Sequence, residues 1–186
     1  MKKIFTPLGA SNHSNGDRAQ HDYYATDPKA VEKLLEVENF SKVIWEPCCG
    51  EGHIAKVLES HGHEVIATDL IYRGYGGNFS FDFLTDELVE FNGDIITNPP
   101  YKQATEFVQK ALETNANKIA MLLKIQFLES KKRQELFKQY PPKYIYIFSE
   151  RVECGKNGIF TGASAICFAW YIWEKDFKGE PTIRWI

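Results

Sequence analysis

Asn98-Pro99-Pro100-Tyr101 is the stretch with the most specific chemical content in the 186 residues. It follows the apolar run Ile95-Ile96-Thr97 and precedes a segment with helical spacing from Ala104 to Leu112. A strand that meets two prolines must stop, because neither has an N–H to donate to the ladder. An amide side chain, a carbonyl followed by a proline, and an aromatic ring are left at its carboxyl end. That set suits a planar –NH2 group: Asn98 Oδ1 and the Pro99 carbonyl accept its two hydrogens, and Tyr101 covers its π-face. Taken alone, the tetrapeptide is explained equally well as a strand-ending turn with a core tyrosine. The glycine-rich turn upstream shifts the balance.

Val43-Ile44-Trp45-Glu46 reads as a short buried strand, turned sharply by Pro47-Cys48-Cys49-Gly50-Glu51-Gly52, and Ile54-Ala55-Val57-Leu58 follows with helical period. Gly50-x-Gly52-x-x-Ala55 has the spacing of a nucleotide-binding turn. Its two glycines permit close backbone approach, and the small Ala55 allows close helix–sheet packing. Glu64-Val65-Ile66-Ala67-Thr68 is the next strand and ends at Asp69, 17 residues after Gly52, where a carboxylate can accept both hydroxyls of a ribose. Asp82, in Ser80-Phe81-Asp82-Phe83-Leu84, sits at the end of the next short apolar segment, placed to accept from an adenine amino group. Asn98-Pro99-Pro100-Tyr101 then ends the fourth strand. A nicotinamide dehydrogenase is the rival for such a unit. Glu46 and Pro47 before the first glycine speak against it, since a carboxylate facing the ligand repels a pyrophosphate and welcomes an amino-acid ammonium group.

Together, Tyr24-Ala25-Thr26-Asp27-Pro28, Glu46 to Gly52, Asp69, Asp82-Phe83 and Asn98-Pro99-Pro100-Tyr101 resemble the S-adenosylmethionine-dependent amino-methyltransferases, most of all the compact, phage-type adenine-N6 DNA methyltransferases. The resemblance covers most of the chain from Asp22 to Trp173. It implies a Rossmann-like, doubly wound, seven-stranded α/β sheet of the class I methyltransferase type, mostly parallel with an antiparallel last strand. S-adenosylmethionine is the implied cofactor, with Glu46, Gly50 and Gly52 around its methionine part, Asp69 at the ribose, and Asp82 with Phe83 at the adenine. Tyr24, Pro47, Cys48, Leu70 and Asn98 complete that implied site. Thr26 would touch the cofactor's carboxylate, although Thr26-Asp27-Pro28 departs from the commoner Thr-Pro-Pro. The implied catalytic residues are Asn98, Pro99, Pro100 and Tyr101, with no metal.

The implied reaction is methyl transfer to the N6 amino group of an adenine extruded from nucleic acid, DNA before RNA. By the same resemblance, enzymes that methylate glutamine side chains of translation factors, or ribosomal RNA, carry Asn-Pro-Pro-Tyr as well. A non-catalytic cofactor-binding subunit is a third reading. Glutamine-directed relatives usually carry an added N-terminal domain, and DNA-directed ones often carry a target-recognition domain. This chain shows neither, so recognition would fall to the Arg151–Ala163 loop, the N-terminal arm or a protein partner.

With 44% hydrophobic and 25% charged residues, the composition is that of one globular domain, over residues 22–186, preceded by a loose polar arm at 1–21. No apolar run approaches the ~20 residues of a membrane span. Met1-Lys2-Lys3 is not followed by the apolar stretch of a signal peptide. Four cysteines without C-x-x-C spacing read as reduced thiols in a cytoplasm. Residues 1–100 carry 8 basic and 16 acidic side chains and residues 101–186 carry 14 and 9, so an acidic half meets a basic one. His61-Gly62-His63 reads as a turn rather than a metal pair. Lys131-Lys132-Arg133 reads as a solvated helix face before a phosphate track.

Asp27 and Pro28 are an N-cap and first residue for a helix through Ala30, Val31, Leu34 and Leu35. Lys118–Leu123 is a fifth strand, Ser130–Tyr140 a helix ended by Pro141-Pro142, and Tyr144–Phe148 a sixth strand. Ala165–Trp173 is the seventh, apolar on both faces, as a central strand covered by helices on each side requires.

Overall fold

The computed structural model describes residues 23–77, 80–87, 91–162 and 166–186; the expected arm at 1–21 and Asp22 lie outside them. In chain order the elements are β1 (Tyr24–Thr26), α1 (Pro28–Val37), β2 (Val43–Glu46), α2 (His53–Ser60), β3 (Glu64–Ala67) and β4 (Asp94–Thr97). There follow α3 (Ala104–Glu113), β5 (Lys118–Lys124), α4 (Lys131–Gln139), β6 (Tyr144–Ile147), β7 (Cys154–Lys156), β8 (Phe168–Glu174) and β9 (Thr182–Trp185). As the cap residues require, the Asp27 carboxylate accepts from Lys29 N at 3.0 Å and Pro28 opens α1.

Seven strands form one sheet in the order β3-β2-β4-β5-β8-β6-β9. β3, β2, β4 and β5 are mutually parallel, and β8 runs antiparallel to both β5 and β6. The period of two along each strand sends alternate residues to opposite faces. Ile95, Ile119, Met121, Tyr171 and Trp173 pack with Phe107, Val108 and Ala111 of α3 on one side. Ile44, Ile96, Ala120, Leu122 and Trp170 pack with Val31 and Leu34 of α1 and Ile54 and Leu58 of α2 on the other. Phe168 to Trp173 are all buried, as expected of a central strand. Two buried indoles also tie layers together, Trp170 Nε1 donating to Ala30 O at 2.8 Å and Trp173 Nε1 to Tyr140 O at 3.0 Å.

The structure departs from the sequence reading in three places. The segment Ser80–Leu84, expected among the strands, is a loop and turn: Asp82 Oδ1 accepts from Leu84 N at 2.9 Å, and Asp82 O accepts from Thr85 N and Asp86 N. An aspartate that caps its own following residues bends the chain away from a ladder. The seventh strand is instead β9, at the opposite edge and parallel to β6. The antiparallel strand is therefore next to last in the chain. The structure also adds a two-stranded antiparallel pair, β1 with β7, outside the main sheet, in the register Thr26↔Cys154.

β4 carries the Asn-Pro-Pro-Tyr segment, and its first residue fixes it. Asp94 is 2% exposed, and its carboxylate accepts from Ser41 N and from Lys118 N, the latter at 2.9 Å. Asp94→Ala leaves two enclosed N–H donors without an acceptor and is expected to cost about 2–4 kcal/mol. Asp94→Asn, which keeps one acceptor, should cost less. Urea unfolding with an unchanged m-value checks both.

Candidate active site

In an open parallel sheet, ligands bind outside the carboxyl ends of the strands where the winding reverses. Here the chain passes from β2 to β3 on one side and returns to β4 on the other, so the crevice lies between Glu46 at the end of β2 and Asn98 just past β4. A cavity of about 360 Å3 occupies it, within the size range of small-molecule sites. Glu46, Pro47 and Cys48 line it from β2, Asp69 and Leu70 from the end of β3, and Asp82 and Phe83 from the loop that replaced the expected strand. Tyr24, Thr26, Asn98 and Pro100 complete the set of expected residues that reach it.

Asn98 is held in one orientation. Its Nδ2 donates to Tyr24 O at 2.9 Å and to Thr26 Oγ1 at 3.1 Å, with Cys154 Sγ at 3.8 Å. Oδ1 is buried and has no partner among the described residues. Thr26, expected at the cofactor carboxylate, is 2% exposed and spends its hydroxyl oxygen on this amide. An acceptor without a donor inside a cavity is the requirement for gripping a ligand N–H.

Glu46 is the complementary case. It is 1% exposed, and the Ala55 N–H in the first turn of α2 donates to it, yet Oε2 has no partner among the described residues. Burial raises its carboxyl well above the ordinary 4.5, and Asp69 and Glu59 raise it further against the opposing Ala55 bond. A buried acid in this condition favours a cationic ligand. Burial also pushes Cys48 well up and Cys49 and Cys154 to about 12, so these sulfurs are thiols and not nucleophiles.

The glycine turn is used differently from expectation. Gly50 and Gly52 have φ of +53° and +78°, conformations that favour glycine. A Cβ at Gly50 would stand 2.5 Å from the Tyr23 ring, and one at Gly52 2.4 Å from the Tyr75 ring. The close approach is thus made by two of the chain's own tyrosines, and neither glycine lines the cavity. Asp69 also carries a structural duty: Oδ2 accepts from Gly50 N at 2.8 Å and Oδ1 from Ile71 N at 2.9 Å. Phe83 stacks on Phe107 at 5.3 Å, so it is cavity wall and core at once.

Tyr101 is the clearest displacement. The short 3-10 turn Tyr101–Gln103 carries its ring out of the Asn98 cavity. There it lies 5.4 Å from Tyr24 and 5.8 Å from Phe168, with Lys124 Nζ 4.6 Å from its centroid. Pro99 likewise does not line the cavity. Among the lining residues not singled out in the sequence are Tyr23, Arg73, His53 and Lys102. Arg73 stacks on the Tyr23 ring at 4.4 Å, burial with Glu51 pushes the Tyr23 hydroxyl up to about 12, and burial lowers the His53 imidazole. No local signal marks them. His61 and His63 sit at the other end of α2, bonded to Glu32 and to Ser41 O.

No protein-family model matches the sequence, and no relative is found among curated proteins. Solved structures do share the fold. A Vibrio vulnificus chain assigned as the modification subunit of a type I restriction enzyme aligns with TM-score 0.60 and 15% identity over 94% of this chain and 48% of its own. A hemolysin-assigned chain from Lactococcus lactis gives 0.58 and 14% over 84% and 91%. A dimethyladenosine transferase from Plasmodium falciparum gives 0.56 and 13% over 81% and 62%. The chain spans about half the length of the first and about three fifths of the third. The sheet is that of the class I methyltransferases. At such identities the likeness concerns the fold, and function rests on the site.

Because its folded-state carboxyl is raised, Glu46 contributes stability that is fully present below its ordinary 4.5 and is lost as pH rises through the raised value. Wild-type stability is therefore expected to fall with rising pH more steeply than that of Glu46→Gln, measured by urea unfolding across that window. Binding of a ligand ammonium group should release a proton from wild type and none from Glu46→Gln, read by calorimetry in buffers of different ionisation enthalpy.

Proposed function

We propose that the chain transfers a methyl group from S-adenosylmethionine to the exocyclic N6 amino group of an adenine in nucleic acid, DNA before RNA. The observation that carries this reading is the Asn98 amide, its donor side satisfied and its Oδ1 buried without a partner at the switch-point cavity. The cofactor fits the residues present. Glu46 Oε2 is a buried acid suited to an ammonium group, and Asp69, Asp82, Leu70 and Phe83 line the same cavity. Pro47, Cys48 and Tyr24 border it.

When bound, S-adenosylmethionine supplies a methyl already activated on a sulfonium, which leaves as a neutral thioether once the new N–C bond forms. The protein's part is to position the nitrogen and stabilise the charge it gains. Asn98 Oδ1 accepts one amino hydrogen, which enriches the nitrogen and aims its lone pair; the Pro99 carbonyl, expected to accept the other, reaches it only if that residue turns toward the cavity it does not line. Pro100 keeps the chain from continuing the strand, and Tyr101, whose ring packs on Tyr24 and Phe168 outside this cavity, covers the base only where the base extends past Tyr24 toward it. The nitrogen's proton then passes to water, so no general base is required. A glutamine carboxamide presents a similar planar group. The cations beside Tyr101 favour a nucleotide, as do the RNA and ribosomal-RNA methyltransferases among the structural neighbours.

Tritiated-methyl transfer to matched DNA, RNA and release-factor protein tests the reading. Label in N6-methyladenine supports it; label confined to glutamine overturns it. Asn98→Ala should bind S-adenosylmethionine nearly as wild type and lose about 10²–10³-fold in turnover, as for other preorganised hydrogen-bond partners. Thr26→Val removes one of the two oxygen acceptors that orient the amide and should cost about tenfold in turnover. Single-turnover kinetics beside calorimetry separates these losses from weaker cofactor binding.

A further inference from the structure

A second cavity, of about 280 Å3, is bordered by Tyr101. Tyr24 and Lys102 line both this space and the one that holds Asn98, so the two adjoin across one wall. Its charged lining is Lys102, Lys124 and Arg133, with no carboxylate among the described residues that border it. In a chain whose net charge is −3, three cations around one small hollow are a local excess of one sign, and such a hollow concentrates anions.

The three cations are held differently. Arg133 Nε donates to Phe127 O at 2.6 Å, and Nη2 donates to Glu129 O at 2.7 Å and Gln126 O at 3.2 Å. Its guanidinium is therefore a fixed part of the wall, clamping the 3-10 turn Ile125–Leu128 to α4. Lys124 ends β5 and places its Nζ over the Tyr101 ring. Lys102 sits in the 3-10 turn between Pro100 and α3, next to Tyr101 in sequence.

We propose that this basic cavity binds the phosphodiester group of the nucleotide whose amino nitrogen Asn98 holds, with Lys124 and Lys102 as the phosphate contacts. The inference rests on the nucleic-acid reading above and narrows it. Lys124 occupies a face of Tyr101 on which a base would stack. An arriving base displaces it, and the phosphate of the same nucleotide is the anion within reach. Occupation of the Tyr101 face by Lys124 and binding of the phosphate are then alternative states of one side chain. A glutamine in a protein loop brings no such anion, so the cavity distinguishes the substrate classes that Asn98 alone cannot.

The test uses the full chain and a short fluorescein-labelled, adenine-containing single-stranded DNA, with affinity measured by anisotropy against salt. Lys124→Gln and Lys102→Gln are each expected to flatten the slope of log affinity on log salt by about 0.7, the value for one lost phosphate contact on a single strand. Lys124→Arg should restore the wild-type slope, and Lys124→Gln should bind S-adenosylmethionine with wild-type affinity in calorimetry. Unchanged slopes in both glutamine variants, with label still entering nucleic acid, overturn the phosphate site and leave the methyltransferase reading standing. Wild-type protein that labels release factor and neither DNA nor RNA overturns both.

Discussion

A backbone carbonyl accepts hydrogen bonds and never donates them, and the crevice depends on that asymmetry. Because Tyr24 O faces Asn98, the amide can present only its NH2 there, and Oδ1 must point elsewhere. An amide's oxygen and nitrogen are hard to tell apart by shape, yet here the chemistry of the neighbour decides. What keeps Tyr24 O in place is a small structure: β1 and β7, three residues each, prolonged by Asp27 N to Glu153 O and Asn157 N to Tyr23 O, both at 3.1 Å. The main sheet delivers Asn98 to the crevice. The minor pair sets which atom it offers.

Glu46 and Asn98 make the crevice bipolar. One supplies a buried acid that favours its proton until a cation arrives, the other a neutral acceptor that needs a donor. Both lie at strand ends, where side chains sit on the most rigid part of the fold while facing a space the sheet itself cannot fill. Burial makes each unmet oxygen costly to the fold and correspondingly selective toward a ligand. Asp69 works otherwise: with two backbone N–H groups already bound, it braces the glycine turn and offers only its remaining lone pairs to the cavity.

Strand ends were the legible part of the sequence, because an apolar run stopped by proline or glycine is a local signal. Val43–Glu46 and the β4 segment before Asn98 follow from it, and the buried β8 from a run apolar on both faces. What escaped is non-local or misleading. Tyr24–Thr26 is a strand only because Cys154–Lys156 lies beside it, and nothing near either segment announces the other. Phe81 and Phe83 alternate with Ser80 and Asp82 as a strand would, but the phenyl rings are drawn against Trp45, and Phe83 also stacks on Phe107, with Asp82 as the turn's cap. β9 is exposed along its length, with Trp185 69% exposed, so it carries no burial pattern to read. Tyr101 was assigned by its neighbours in sequence, whereas its ring answers to Tyr24 and Phe168.

The rings of Tyr23 and Tyr75 over Gly50 and Gly52 bear on what a glycine fingerprint can report. The usual inference treats such glycines as the imprint of a ligand's phosphate or amino-acid backbone. Here the imprint is made from inside, by the chain's own aromatics, and a side chain at either position would collide whether or not anything were bound. In a descendant of this protein that had abandoned its ligand, a side chain at either position would still be strained. In this crevice the glycines testify to architecture, and the trace of a ligand has to be sought in buried oxygens such as Glu46 Oε2 and Asn98 Oδ1, which no described residue satisfies.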